Sequence, residues 1–399
     1  MVSRVAMGLS LVLGAIAPAV CAAAPAEPLP VQAFLRALTA PGSTSEQRRK
    51  AWGRLSEAGK RPSRAVADAV ARIRAKAWRS MAQLVASGAV RKGGLGLRKA
   101  LAPHQEKARN TVRGGGFSKE KLDEAMAPIG KALNEAIGPL RGSDAYKKVH
   151  ATIDEMEGYA VACGLRVGWS DELSENLCTV VFVNRYAGAP RWTETLELNR
   201  RVGSWIAPGE HACIARLNVH RILIGLHPVG IDLRLVVAAK KHSEEMVAKK
   251  YFSHVSPTPH LKGFGQRAGR EHTRAGGECI AAGSGSGVGV FRMWYYSQGH
   301  HKIMIGGARH IGVGRAARMW TLMTGGSQMA GSTAGKMAQY VRGRYQAGDD
   351  PARLFALAKW CGDASLLTQA EDELERVLAL DPKHPEAARV LERLRSRTR

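Results

Sequence analysis

The sequence predicts an α+β chain in which a mixed segment of helices and late strands sits between two helical stretches. Three observations carry this. From Ser45 to about Met156, apolar residues recur at helical spacing (Val66, Val70, Ile73, Trp78, Met81, Leu84) in a background of Ala, Lys, Arg, Leu and Glu. From Ile231 to about Lys249 a second amphipathic pattern places Leu233, Val236, Val237 and Met246 on one face. Then His310–Arg315 and Ala317–Met323 alternate as two strands of a hairpin or meander.

At 399 residues the chain exceeds one ordinary core, and two or three domains are expected. Arg4 precedes an apolar run from Val5 to Val20 and then small residues to Ala26, which reads as a cleaved signal peptide over residues 1–26. Lipoprotein processing at Cys21 is disfavoured by Val20 just before it. The run is short for a bilayer span. The chain is therefore expected to be secreted or periplasmic. The net charge of +25 predicts attraction to anionic partners. Export makes nucleic acid the weaker candidate and an anionic cell-envelope surface the stronger one.

Residues 27–43 read as a leader or linker opening a basic helical region over 27–156, with breaks at Gly93-Gly94 and Gly114-Gly115-Gly116. The Lys and Arg there form either an anion-binding surface or the solvated face of a bundle. Residues 157–211 read as a small α/β segment, with Cys178–Asn184 as a strand. A helix containing Leu217, Arg221 and Leu223 begins near Ala212. Ala281–Val290 reads as a Gly/Ser loop, followed by an aromatic run to Tyr296 and a turn through His300-His301. Residues 329–340 read as a linker. Residues 341–399 read as a helix pair with tetratricopeptide-like spacing (Leu354, Leu357, Ala358; Ala370, Leu374, Val377). A single such pair cannot bury its own face, so it is expected to dock on a neighbour, to self-associate or to recruit a protein partner.

Beyond Cys21, five cysteines remain: Cys163, Cys178, Cys213, Cys279 and Cys361. An odd number leaves at least one unpaired in a monomer. Sequence proximity makes Cys163–Cys178 the expected disulfide in an oxidising compartment.

The chemistry concentrates between Ile231 and Thr324. His254, Glu278 and His300 come from separate segments, and two imidazoles with a carboxylate suit zinc or another divalent cation, or acid/base work near neutral pH. An open fourth position would hold an activated water. The same trio also fits a metal-free hydrogen-bonded network. His242 reads as a packed or surface residue, His301 as unable to point with His300 from an extended segment, and His310 as a surface residue. Ser253, Ser256 and Ser297 lie near the histidines, but no nucleophile elbow supports a serine hydrolase. Gly283–Gly289 lacks the lysine of a phosphate loop.

Taken in order, Leu217-Asn218 through Arg221, Gly225-Leu226-His227-Pro228, His242–Met246 and Tyr251-Phe252-Ser253-His254 resemble the CAP superfamily. So do Gly277-Glu278-Cys279-Ile280, Trp294 through Gly299-His300-His301, and Ile311-Gly312-Val313-Gly314. That superfamily is also called SCP-like and includes cysteine-rich secretory, antigen 5 and pathogenesis-related proteins. The bacterial type is the one resembled, over residues 212–328. The resemblance implies an α-β-α sandwich and a cleft holding His254, Glu278 and His300. It also implies a second glutamate after Trp294, where this chain has Tyr295, Tyr296 and Ser297. Cys279 stands where Asn is usual. Lipid or sterol binding is the function the resemblance implies most directly. A binding module for a lipid, sterol, glycan or other envelope component is therefore the leading expectation. A metal-assisted hydrolase or protease and a scaffold acting through residues 341–399 are the alternatives, so an enzymatic activity is left open.

Overall fold

The computed structural model describes residues 29–57, 64–163, 170–325 and 332–398. The expected signal peptide lies outside the described residues. The chain parts into two compact units after Ala69. The first holds α1 (Leu29–Thr39), α2 (Ser45–Glu57) and the start of α3 (Arg64–Ala86). The stretch expected as a leader or linker is thus helical from Leu29, with Val31, Phe34 and Leu38 buried at i, i+3 and i+7. Phe34 meets Trp52 of α2 edge-on, with ring centroids 4.9 Å apart. Thr44 and Gln47 cap α2 reciprocally: Thr44 N donates to Gln47 Oε1 at 2.9 Å, and Gln47 N to Thr44 Oγ1 at 3.2 Å.

The second unit continues α3 and adds α4 (Gly88–Arg113), α5 (Lys119–Gly142), α6 (Asp144–Ala162), α7 (Ser170–Tyr186) and α8 (Thr193–Val202). The glycine triplet at 114–116 does separate α4 from α5, and Ser118 caps α5. Gly93-Gly94 does not break α4. A Cβ at Gly94 would overlap the Tyr186 ring, so the absent side chain lets α7 pack closely. The strand expected at Cys178–Asn184 is helix α7. Cys178, Phe182 and Val183 fall on one buried helical face, within a core that also holds residues of α4 and of the later helix over 208–223. That packing overrides the weak β preference of Thr179-Val180-Val181. Among the described residues of 157–211 there is no strand. The five cysteines among the described residues carry free thiols, so the expected Cys163–Cys178 disulfide is not formed.

Then follow α9 (Pro208–Leu223), β1 (Gly230–Ile231), α10 (Leu233–Ala248), α11 (Phe264–Arg270), β2 (Ala275–Ala282), α12 (Gly287–Tyr295), α13 (Gln298–Met304), β3 (His310–Ala316) and β4 (Met319–Gly325). The sheet order is β1-β3-β4-β2, with β1 parallel to β3 and the other pairings antiparallel. The expected hairpin is therefore present. Two local readings change. The Gly/Ser loop closes into α12 at Gly287, and the His300-His301 turn is helix α13. Strand β2 carries too many glycines to show a β pattern in sequence.

Alternation fixes the layers. Ile311, Val313, Leu322, Cys279 and Ala281 pack into one core with Cys213, Ile214 and Leu217 of α9 and Phe291 and Trp294 of α12. On the opposite face Gly312 and Gly314 lie under α10. A Cβ on either would overlap backbone atoms of α10, at Leu235-Val236 and Ala239-Lys240 respectively. The helix axis therefore rests directly on the strand. Trp294 Nε1 donates to Ile280 O at 3.2 Å, tying α12 to β2. The outcome is an α+β helix–sheet–helix sandwich, as expected.

Four helices end the chain: α14 (Ser332–Ala347), α15 (Pro351–Asp363), α16 (Leu367–Leu380) and α17 (Ala387–Thr398). The expected linker over 329–340 is helical from Ser332, so the segment holds more than a helix pair. Its polar face docks on α10 and α11. Lys241 Nζ reaches Glu271 at 2.7 Å and also Asp372, and Arg344 bridges Glu244 and Glu373 at 2.7 Å each. Gln369 donates to Glu271 at 2.8 Å, and Arg376 pairs with Glu244 at 2.6 Å.

Replacing Gly314 with Ala should destabilise the second unit by roughly 1–3 kcal/mol, the usual result of overpacking. The urea midpoint of the full chain would report it. An unchanged midpoint would mean that the α10–β3 contact can open without loss.

Candidate functional site

The site is built on the loop between α10 and α11. Glu245, near the end of α10, accepts from Tyr251 Oη and Ser256 Oγ at 2.7 and 2.9 Å and from the Thr258 hydroxyl, and it pairs with Lys249 Nζ at 2.9 Å. Burial raises its pKa, but those hydrogen bonds outweigh burial and hold it down at about 2. His242, one turn earlier, is buried with Nε2 3.1 Å from Ser253 O. Burial, then the nearby Arg267 charge, lower its pKa.

The loop carries His254 to β2. Its Nδ1 lies 2.9 Å from Glu278 Oε1. The other carboxylate oxygen, Oε2, accepts from Arg267 Nη2 at 2.6 Å. Arg267 is itself held by main-chain oxygens. Nη2 donates to His254 O at 3.1 Å, and Nη1 to Leu261 O and Lys262 O at 2.9 and 3.2 Å. Arg267 and Glu278 are almost fully buried, with side chains 3% and 1% exposed, whereas His254 is 51% exposed. A buried carboxylate needs such a partner, because an unpaired charge in low dielectric is strongly unfavourable.

His300 is half-buried in the first turn of α13. Burial and then the charge of His254 lower its pKa. The three sequence-predicted residues therefore share a region. Among the described residues no three His, Cys, Asp or Glu side chains are placed to hold a metal ion. The arrangement is a hydrogen-bonded His254–Glu278–Arg267 chain with His300 beside it.

His301 points elsewhere. The segment is helical, so His300 and His301 sit about 100° apart, and His301 enters the core. Its Nε2 is 2.8 Å from Nε2 of buried His220. One nitrogen must donate and the other accept. Burial holds His301 at about 4 and His220 well below its usual value. His310 is half-buried at the start of β3. The serine hydroxyls build turns: Ser253 Oγ accepts from Val255 N and Ser256 Oγ from Thr258 N.

Residues 214–318 match the family model of the Cysteine-rich secretory protein family, CAP. They form a CAP domain. YkwD of Bacillus subtilis, itself described as an uncharacterized protein, is 32% identical over 146 residues, which are 35% of this chain and 55% of that protein. The chain thus spans about half the length of that relative. A crystal structure of an extracellular protein containing an SCP domain, from Bacillus anthracis, covers 29% of this chain and 39% of its own at 29% identity, with a TM-score of 0.28.

Within this CAP domain the acid missing after Trp294 is not replaced locally. Tyr295 packs on His301 and His220 instead, at centroid distances of 4.7 and 5.1 Å. Two carboxylates do flank the loop, Glu278 and Glu245, and Glu245 was not marked as a site residue by sequence. Arg267 was missed as well. Cys279 faces the α9–α12 core, its pKa raised by burial and then by Glu278, so it acts as a small apolar group.

Glu245 gives the loop a pH signature. A folded-state pKa below the unfolded value contributes stability that is fully present above the unfolded value, near 4.5, and is lost as pH falls towards about 2. The Tm difference between wild type and Glu245→Gln should be constant above pH 5 and shrink between about pH 4.5 and 2. A difference independent of pH over that range would mean that Glu245 does not hold the loop through its charge.

Proposed function

We propose that this chain is an exported CAP-domain binding module whose ligand lies in the lipid of the cell envelope. The observation that carries the reading is the loop over residues 247–262. Phe252 and Val255, 52% and 53% exposed, flank His254, and Val247 is exposed nearby. Lys249, Lys250 and Lys262 are exposed around them. Apolar tips ringed by lysine suit an anionic bilayer interface, where apolar burial adds to attraction for the headgroups. The net charge of +25 favours the same partner. No helix among the described residues is long and apolar enough to cross a membrane.

A metal-assisted hydrolase, the reading in which zinc or another divalent cation serves the cleft, finds less support. Glu278 would have to serve as ligand or base, and both its oxygens are engaged. A scaffold acting through residues 341–399 finds less support too, because Gln369, Asp372, Glu373 and Arg376 of α16 face the CAP domain and α14.

Sedimentation with phosphatidylglycerol vesicles, beside phosphatidylcholine vesicles, tests the proposal. Binding should be selective for the anionic vesicles and fall as salt rises, since exposed charges are screened over about 8 Å at physiological ionic strength. The Phe252→Ser/Val255→Ser variant should lose at least about tenfold in affinity, the usual scale for two exposed apolar side chains leaving an interface. Equal binding by that variant would remove the loop from the proposal. Equal binding to both vesicle types would remove the charge.

A further inference from the structure

We infer that Arg267 is the resident cation of the CAP cleft: its guanidinium supplies the positive charge that Glu278 requires, and the cleft is organised without a divalent ion. The inference is independent of the lipid reading. Three observations carry it.

The first is the oxygen cage. Arg267 donates to one carboxylate oxygen, Glu278 Oε2, and to three main-chain carbonyls, those of His254, Leu261 and Lys262. These come from the middle of the site loop, from its end next to α11 and from β2. A group that collects oxygens from three directions at a buried point does the structural task of a bound hard cation. The guanidinium has five N–H donors in a fixed plane and stays charged, so it can do so without an ion.

The second is the spacing of the donors a metal would need. His254 Nδ1 and Glu278 Oε1 are 2.9 Å apart, a hydrogen-bond distance. Two donors on one tetrahedral zinc, with bonds of about 2.0–2.1 Å, stand roughly 3.3 Å apart with the ion between them. A carboxylate that instead orients a histidine through Nδ1 leaves Nε2 as the metal donor. His254 and His300 would then be the available ligands, one short of the three protein ligands of catalytic zinc sites. Consistent with this, no three-donor group exists among the described residues.

The third is charge. Glu278 is 1% exposed and already paired at 2.6 Å with an arginine that is 3% exposed. A divalent ion joining the same carboxylate would meet that guanidinium in a poorly screened interior, where like charges repel strongly. Arg267 is thus a positioning residue. It fixes Glu278, which fixes the His254 tautomer with Nδ1–H towards the carboxylate and Nε2 free to accept from a ligand.

The test is calorimetric titration of ZnCl2 into the full chain, with thermal melts in the presence and absence of EDTA. Wild type should melt at the same temperature with and without chelator, and any zinc it takes up should be unaffected by the His254→Ala/His300→Ala pair. Arg267→Met keeps much of the side-chain volume but removes the charge and the donors. It should gain at least about tenfold in zinc affinity, and adding His254→Ala should abolish the gain, as expected when a ligand set is released from a competing cation. A merely structural arginine would give no gain. Wild-type zinc binding that falls at least about tenfold in the histidine pair variant would overturn the inference. Equal zinc affinity in wild type and in folded Arg267→Met would overturn it as well. If Arg267→Met does not fold, the wild-type and histidine-variant titrations still decide the matter.

Discussion

The close contact between α10 and β3 is the constraint on which the second unit depends. Gly312 and Gly314 remove the side chains that would otherwise hold the helix off the strand. With one face of α10 pressed on the sheet through Leu235, Ala239 and Ser243, the remaining directions of the helix are set by its 100° rotation per residue. His242 and Glu245 then face the site loop, while Lys241 and Glu244 face the C-terminal helices. One steric fact about two glycines therefore places both the candidate site and the docking surface for α14–α17.

That docking surface gives the helices α14–α17 a neighbour. A helical segment with an unburied face needs one, and here the neighbour is the CAP domain. The joint is ionic and partly buried. Burial opposes the charge on Glu244, yet Arg344 and Arg376 outweigh it and hold its pKa down at about 2. Lys241 is likewise opposed by burial but raised by Asp372 and Glu271. Replacement of such clusters by apolar groups is often neutral for stability, whereas removal of a single member leaves an uncompensated charge. The cluster therefore fixes the register of α16 on α10 more than it adds net stability.

Much of the CAP fold was legible because it is written in periodicity: α9, α10 and the β3–β4 hairpin all show it. What was not legible depended on tertiary context. Cys178–Asn184 has a strand-like composition, and only its packing against α4 and α9 makes it a helix. β2 has the opposite problem, since Ala275-Gly276-Gly277 carries no β signal and is recruited by pairing with β4. In the site, His254, Glu278 and His300 stood out as rare residue types in a dense segment. Arg267 could not stand out in a chain with 59 lysines and arginines, because nothing local says which one is buried. It lies in the short helix Phe264–Arg270, whose seven residues show no periodicity that would mark Arg267 as the buried one.

The thiols complete the physical picture. Sequence proximity suggested a disulfide, yet the structure treats the cysteines as apolar material. Burial raises Cys178 to about 11 and Cys361 to about 12, with Arg141 opposing the first and Glu373 adding to the second. At neutral pH these groups are thiols with almost no thiolate, and it is the thiolate that exchanges or oxidises. Cys178 and Cys361 are thus poorly placed to exchange or oxidise. The chain's cohesion rests instead on the glycine-seated helix, the apolar cores on the two faces of the sheet and the paired buried charges. The same pairing logic that lets Glu278 stay buried beside Arg267 lets Glu271 and Glu373 stay buried beside Lys241 and Arg344. The candidate site and the structural joint are thus two uses of one device, differing in that His254 leaves the site half open to solvent.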